Sequence, residues 1–343
     1  MGNFPKLNPA ILIRDTKAIL GKCKEGSFYT ALVAFVLLLM ILLAVATAIN
    51  LKQKQEKIIT AALSNPKNDM TRGTHFDKFE MLPIEARSVF VYDLNEHRII
   101  YEKNSEAQLP LASLAKVMLA ATSIGIIPDN YVVTIPTKET TDGKVVAYIP
   151  GLASGDRLIF KDLLDYTLTI SSNQGASLIA TIATEASGKL SATTTTFVDK
   201  MNSNAKKLGM HQTFFLNESG LDKDMETSGA YGSAKDMAIL LEYMLKFHAG
   251  ALEASTFDDI KVPTLGGTKR NATNTNTLIK NTPRVLASKT GLTDLAGGNL
   301  VMVIDAGLAH PVIIALLGST EKGRFKDMNL LIHTTEDVLN MEP

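Results

Sequence analysis

The sequence predicts an α+β fold: an antiparallel sheet built from both ends of one domain, flanked by helices and carrying a helical insert, with one N-terminal transmembrane helix ahead of it. Three observations carry this prediction. Strand-like runs open the domain at Ser88–Asp93 and Arg98–Glu102 and close it at Val285–Leu292, Asn299–Asp305 and Pro311–Leu317. The segments between these runs are patterned as helices. No charged residue occurs from Ser27 to Asn50.

In chain order, residues 1–27 form a short basic tail, expected to be cytoplasmic. The apolar run 28–49 reaches the roughly 20 residues that span a bilayer core of about 30 Å. A buried soluble helix would carry polar residues on one face, and this run does not. Its length and the long tail before it favour an uncleaved signal anchor; the small residues Ala44, Ala46 and Ala48 leave a cleaved signal peptide as the alternative. Basic residues flank the run on both sides (Arg14, Lys17, Lys22 and Lys24 before it; Lys52, Lys54, Lys57 and Lys67 after), so the positive-inside rule gives no orientation. Residues 50–84 read as a juxtamembrane spacer, with a short charged helix at Leu51–Leu63 and a breaker cluster at Asn65-Pro66-Lys67-Asn68-Asp69.

The main domain is expected over residues 85–341. Asn95-Glu96-His97 separates the first two strands as a turn, giving a hairpin. Leu114–Ile124 is rich in Ala, Leu and Met and suits a buried helix. Lys161–Ile170 and Gln174–Ala186 read as helices joined by Ser171-Ser172-Asn173. Phe197–Leu208 and Ser233–Phe247 are helical, and a last helix covers Lys322–Leu339.

Composition removes several function classes. The 343 residues carry 35 Lys and Arg against 35 Asp and Glu, so nothing suggests a nucleic-acid partner. Tryptophan is absent, which argues against a large aromatic stacking surface. The single cysteine, Cys23, precedes the apolar run, so the main domain can hold neither a disulfide nor a cysteine-ligated zinc. The histidines (His75, His97, His211, His248, His310 and His333) show no metal-ligand spacing, and there is no P-loop or dinucleotide fingerprint; no metal and no cofactor is expected.

The chemistry is concentrated in three short motifs: Ser113-Leu114-Ala115-Lys116, Ser171-Ser172-Asn173 and Lys289-Thr290-Gly291. Singly they are weak, since Ser-x-x-Lys recurs at Ser203/Lys206 and Ser319/Lys322. Together, in this order and in these local contexts, they are a specific signal. Ser113 and Lys116 begin an apolar helix and share a face through their i, i+3 spacing. A serine hydroxyl becomes a good nucleophile only when a neighbouring base takes its proton. Lys116 can be that base if its pKa falls from about 10.4 to near 7, which takes roughly 4 kcal/mol of differential interaction. Burial and a second cation, for which Lys289 is the candidate, can supply it.

From Ala86 to Leu339 the chain resembles the low-molecular-mass penicillin-binding proteins, serine D-alanyl-D-alanine carboxypeptidases with a β-lactamase/DD-peptidase-like fold. The likeness rests on the three motifs and on Val91-Tyr92-Asp93 with Tyr101-Glu102-Lys103-Asn104, Gly155-Asp156-Arg157-Leu158, Asn217-Glu218-Ser219-Gly220-Leu221, Ser233-Ala234-Lys235-Asp236-Met237-Ala238 and Asn274-Thr275-Asn276. The resemblance implies that Ser113 attacks the penultimate D-alanine carbonyl, Lys116 is general base, Ser171 relays a proton to the leaving amine, and Asn173 holds the peptide backbone. Lys289 would shape the field, while Thr290, Gly291, Leu292 and Arg324 would form the substrate site. Thr290 and Arg324 would meet the terminal carboxylate, and the N–H groups of Ser113 and Leu292 would form the oxyanion hole. The implied partners are peptidoglycan stem peptides ending in D-Ala-D-Ala, β-lactams as covalent inhibitors, and the lipid bilayer through residues 28–49. The implied location is the bacterial cell membrane, with a single span and the catalytic domain outside.

Departures from the family pattern occur at Leu111, Ala115 and Ser219, where proline, threonine and histidine or threonine are common; they bear on substrate preference. The chain stops soon after the last helix, without the C-terminal β-domain and amphipathic anchor of many members, so the N-terminal span is expected to be the anchor. Rival functions are a DD-endopeptidase with the same machinery, a non-catalytic penicillin sensor, and a class A β-lactamase. The last needs a carboxylate-activated water, for which only Glu185 offers itself, in no Glu-x-x-x-Asn pattern.

Overall fold

The structure, a computed structural model, describes residues 77–136, 140–141, 144–145, 149–186, 196–307 and 309–341, together with Phe35, Leu38 and Leu39. The chain divides into two units, residues 1–62 and 63–343. In the first, Phe35, Leu38 and Leu39 are helical and exposed. Among the described residues no helix is long and apolar enough to cross a membrane, and apart from those three positions the span expected at 28–49 lies outside them.

The second unit is organised by a five-stranded antiparallel sheet: β1 (Ser88–Asp93), β2 (Arg98–Lys103), β3 (Val285–Thr293), β4 (Gly297–Asp305) and β5 (Pro311–Ser319). Their order across the sheet is β3-β4-β5-β1-β2. The pairing of β1 with β5, in register from Ser88 opposite Leu317 to Asp93 opposite Val312, closes the two ends of the domain on each other. All five strands fall where the sequence places them, to within two residues at each end.

The sheet is covered on both faces, and the two-residue period of a strand sorts the side chains. Phe90, Tyr92, Val301, Val303 and Ile313 enter the larger core, beneath the helical insert. Val89, Val91, Leu300, Met302 and Ile314 point the other way, onto the last helix. That is why these strands read as nearly continuous apolar runs rather than as clean alternations.

Among the described residues six longer helices accompany the sheet: α1 (Ala115–Ser123), α2 (Phe160–Thr169), α3 (Asn173–Ala186), α4 (Phe197–Leu208), α5 (Ala234–His248) and α6 (Gly323–Met341). α1 is buried along its whole length, as its composition predicts. α4 opens with a capping box between Thr196 and Asp199 and ends at Gly209 in the left-handed region, so its limits follow from local chemistry. Asn173 is the first residue of α3 rather than part of the link before it.

Two features go beyond the sequence reading. The packed body starts upstream of residue 85, because Phe79, in a helical turn at residues 77–80, is buried and stacks on Tyr101 at 4.8 Å. A hairpin of Asp259–Pro263 with Lys269–Thr273 lies in the stretch before β3. The start of the domain is tied to its end by Asp327, whose buried carboxylate accepts from the Glu85 and Ala86 amides (3.1 and 2.8 Å) and from Ser319 Oγ (2.7 Å).

Replacing Asp327 with alanine would strand these donors in a dry interior. The unfolding free energy is expected to fall by about 2–3 kcal/mol. The check is a lower midpoint in urea unfolding at unchanged slope.

Candidate active site

The three motifs converge although they lie far apart in the chain. Ser113 sits in a 3₁₀ turn, Ala112–Leu114, that runs directly into α1. Ala112, just before it, has φ +49°, a left-handed value that a non-glycine residue holds only when its surroundings impose it. Those surroundings are close. A Cβ at Gly220 would lie 1.9 Å from the Ala112 carbonyl oxygen, and one at Gly291 would lie 2.8 Å from that of Leu111. Gly220 (φ +77°) and Gly291 therefore let a loop and strand β3 press against the turn that carries Ser113. Asn299 of β4 completes the brace: its amide donates to the Pro110 carbonyl at 2.9 Å and its oxygen accepts from the Gly318 amide at 2.8 Å.

Lys116 follows one turn after Ser113 and is fully buried. Its Nζ lies 2.9 Å from Ser113 Oγ, and it donates to Asn173 Oδ1 at 2.7 Å and to the Ser219 carbonyl at 2.9 Å. Burial pulls its pKa from 10.5 down to about 7, with the Glu218 carboxylate pulling the other way. The Ser219 carbonyl is held in place by Asn217, whose oxygen accepts from the Ser219 and Gly220 amides (3.2 and 2.7 Å).

Between α2 and α3 the chain turns at Ser171, again with a left-handed φ of +59°. Ser172 then caps α3 by accepting from the Gly175 amide at 2.9 Å, which places Asn173 on the first turn facing Lys116. Ser171 Oγ accepts from Lys289 Nζ at 2.9 Å.

Lys289, in the middle of β3, is 3% exposed and also donates to the Thr290 carbonyl at 3.0 Å. Its pKa lies well below the usual lysine value, first through burial and then through repulsion from Lys116 and Arg324. This changes the expected electrostatics. Burial, not Lys289, is what lowers Lys116, and Lys289 is itself driven towards the neutral form, chiefly by burial and further by the basic groups of Lys116 and Arg324 beside it.

Thr290 Oγ1 shares a 2.5 Å hydrogen bond with Thr275 Oγ1. Arg324, at the start of α6, is buried; its Nη1 donates to the Gly291 carbonyl at 2.7 Å and its Nε has no hydrogen-bond partner among the described residues. Leu292, near the end of β3, is 42% exposed. The residues singled out as catalytic or substrate-binding thus lie on the Ser113 turn, the first turns of α1 and α3, the α2–α3 link, β3 and the start of α6; polar contacts join Ser113, Lys116 and Asn173 in one group, Ser171, Lys289 and Thr290 in another, and Arg324 to Gly291.

The sequence reading did not assign roles to Asn217, the Ser219 carbonyl, Thr275 or Asn299. Asn299 has a legible signal, a polar residue opening an apolar strand. A backbone carbonyl has none. The described histidines lie elsewhere: His248 pairs with Tyr243 at 3.3 Å and His310 with Asp93 at 2.9 Å. Among the described residues no three His, Cys, Asp or Glu side chains are grouped to hold a metal ion.

A family model described as D-alanyl-D-alanine carboxypeptidase matches residues 76–321. The chain is 28% identical over 244 residues to the D-alanyl-D-alanine carboxypeptidase DacF of Bacillus subtilis, covering 70% of this chain and 59% of that protein. It is 29% identical to DacA of Escherichia coli K12, over 73% of this chain and 60% of that one. The chain therefore spans about 60% of the length of these curated relatives. Among solved structures, the cefotaxime-bound penicillin-binding protein D2 of Listeria monocytogenes superposes with a TM-score of 0.61 at 26% identity, covering 74% of this chain and 98% of that one. A D-alanyl-D-alanine carboxypeptidase from Mycobacterium tuberculosis H37Rv matches in fold, with a TM-score of 0.62 at 21% identity over 76% of this chain and 94% of that one.

The buried amines carry a pH signature of their own. Between about pH 7 and 10.5 the unfolded chain still binds a proton at Lys116 while the folded site does not. Stability contributed by this group therefore rises with pH across that window and is lowest below it. The urea midpoint of the wild type should climb from pH 7 to pH 9 more steeply than that of Lys116→Met.

Proposed function

We propose, since the chain belongs to the D-alanyl-D-alanine carboxypeptidase family, that it removes the terminal D-alanine from peptidoglycan stem peptides through an acyl-enzyme on Ser113. One observation carries the proposal: the buried Lys116 amine lies 2.9 Å from Ser113 Oγ, while its other two partners, Asn173 Oδ1 and the Ser219 carbonyl, can only accept. A neutral amine has two N–H groups and one lone pair. The two acceptors take both N–H groups, so the lone pair is left facing the serine hydroxyl.

The steps follow from that arrangement. The lone pair takes the Ser113 proton as Oγ attacks the carbonyl carbon of the penultimate D-alanine. The N–H groups of Ser113 and Leu292 receive the negative charge that develops on the carbonyl oxygen. The C–N bond then breaks, and the proton that Lys116 took from Ser113 passes through the Ser171 hydroxyl, which Lys289 holds at 2.9 Å, to the departing D-alanine amine, leaving Lys116 neutral again. Asn173 keeps the peptide backbone in line. Thr290 and the buried positive charge of Arg324 hold the terminal carboxylate, with Gly291 keeping β3 tight against the Ser113 turn. Water attacks the ester, using Lys116 again as base, and frees Ser113. A β-lactam enters the same cycle, but its leaving nitrogen stays tethered to the acyl group, so Ser113 remains blocked.

The anchoring of the protein belongs to the same proposal. Residues 28–49 carry no charge and are long enough to span a bilayer core of about 30 Å. We place the domain, whose packed body already includes Phe79, outside a bacterial cell membrane because its substrate lies there, with residues 1–27 inside and a spacer that begins at residue 50 and ends before that body. Cleavage of peptide cross-links is the second reading: a D-alanyl-D-alanine endopeptidase of Escherichia coli K12 is 29% identical over 64% of this chain. Penicillin turnover is disfavoured, because Glu185 lies exposed near the end of α3.

The deciding experiment incubates the full chain with a diacyl-D-Ala-D-Ala peptide and measures D-alanine. Release by the wild type and none by Ser113→Ala is expected; a Ser113 penicillin adduct without any release would turn the reading to a penicillin sensor, and products from cross-linked muropeptides alone would turn it to an endopeptidase. The rate should rise with pH through about 7, as Lys116 loses its proton. Lys116→Arg, which cannot become neutral, should lose about 10²–10⁴-fold at every pH tested.

A further inference from the structure

The two acceptors that orient Lys116 sit on separate pieces of chain. Asn173 opens α3, whereas the Ser219 carbonyl belongs to the loop Asn217–Leu221. Asn217 orders that loop internally, but this does not set its distance from the helix. A direct link does. Ser177 Oγ donates to the carboxylate of Glu218. Glu218 is the neighbour of Ser219 in the chain, and Ser177 lies four residues after Asn173, on the same face of α3. The link thus joins the two residues adjacent, in the chain or on the helix, to the two acceptors.

Resting on the reading of the site given above, we propose that Glu218 and Ser177 are positioning residues, forming a clamp that holds the Ser219 carbonyl and the Asn173 amide at the separation that aims the Lys116 amine at Ser113. The glutamate also acts through space. The charged groups around Lys116 are Glu218 from the loop, Lys289 from β3 and, behind Lys289, Arg324 from α6. Glu218 is the negative one, and it favours the protonated amine. It therefore holds back the loss of charge that burial promotes.

The test measures the rate of Ser113 acylation by a penicillin between pH 5 and pH 9 in the full chain, for wild type, Ser177→Ala, Glu218→Ala, their double variant and Glu218→Gln. Ser177→Ala and Glu218→Ala should each lower the plateau rate about tenfold, because small misplacements of a reacting group are expensive. The double should be no slower than the slower single, since both remove one interaction. Glu218→Gln keeps an acceptor oxygen and loses the charge, so it should retain most of the plateau rate while its acid limb moves to lower pH. Wild-type plateau rates in both alanine variants, or losses that multiply in the double, would overturn the clamp. Titration of the Lys116 amine by NMR with labelled lysine needs no turnover: its midpoint must fall in Glu218→Gln. An unreactive wild type that still shows this fall would defeat the enzymatic reading and leave the Glu218 contact with Lys116 intact.

Discussion

The site depends on one buried amine with no room to choose its partners. Water would solvate Lys116 from every side and keep it charged. The protein instead offers it two fixed acceptors, Asn173 Oδ1 and the Ser219 carbonyl, and one hydroxyl, Ser113 Oγ. Removal from water lowers the affinity for a third proton, and the acceptors decide which direction the freed lone pair faces. In the proposed reaction this lets Lys116 take the Ser113 proton without a histidine.

The remainder of the domain serves that geometry. The Ser113 turn is held from three sides: by Gly220 on the loop, by Gly291 on β3, and by Asn299 on β4 gripping Pro110. β3 and β4 are central to these contacts, so the turn is indexed to a sheet buried on both faces. The left-handed residues Ala112 and Ser171 fall at the two places where motif side chains leave their helices for the cleft. Such backbone conformations persist only where the surrounding packing enforces them. Here one directly precedes Ser113 and the other is Ser171 itself, whose Oγ accepts from Lys289 Nζ.

Electrostatics in the cleft are dominated by desolvation rather than by pairing. Lys116, Lys289 and Arg324 are three basic groups in a small buried volume, and each has its pKa lowered by burial. Among the described residues no carboxylate pairs directly with either lysine; their hydrogen-bond partners are hydroxyl, amide and carbonyl oxygens. An ion pair would lock the proton onto the amine. Neutral acceptors satisfy the N–H groups without doing so, while the guanidinium of Arg324 donates to the Gly291 carbonyl and keeps an unpartnered Nε among the described residues.

The five strands and six helices were legible in the sequence because each is a local pattern: apolar runs with turn residues for the sheet, and 3.6-residue periodicity with caps such as Thr196 and Gly209 for the helices. The hairpin at Asp259–Thr273 escaped because Pro263 and the charged Lys269-Arg270 pair obscure its alternation, although Val262 and Ala272 are buried. Phe79 escaped because its partner, Tyr101, is distant in the chain. Among the site residues, Ser113, Lys116, Ser171, Asn173 and Lys289 were picked out by three short motifs in order, and Arg324 by the family resemblance. What only the tertiary structure decided was their relation: that a main-chain carbonyl at Ser219 completes the shell of Lys116, that Asn299 braces the nucleophile turn, and that Lys289 is itself driven towards the neutral form. Sequence specifies which groups are available and which local shapes they favour; distance, burial and charge coupling arise only when separate stretches share one dry volume.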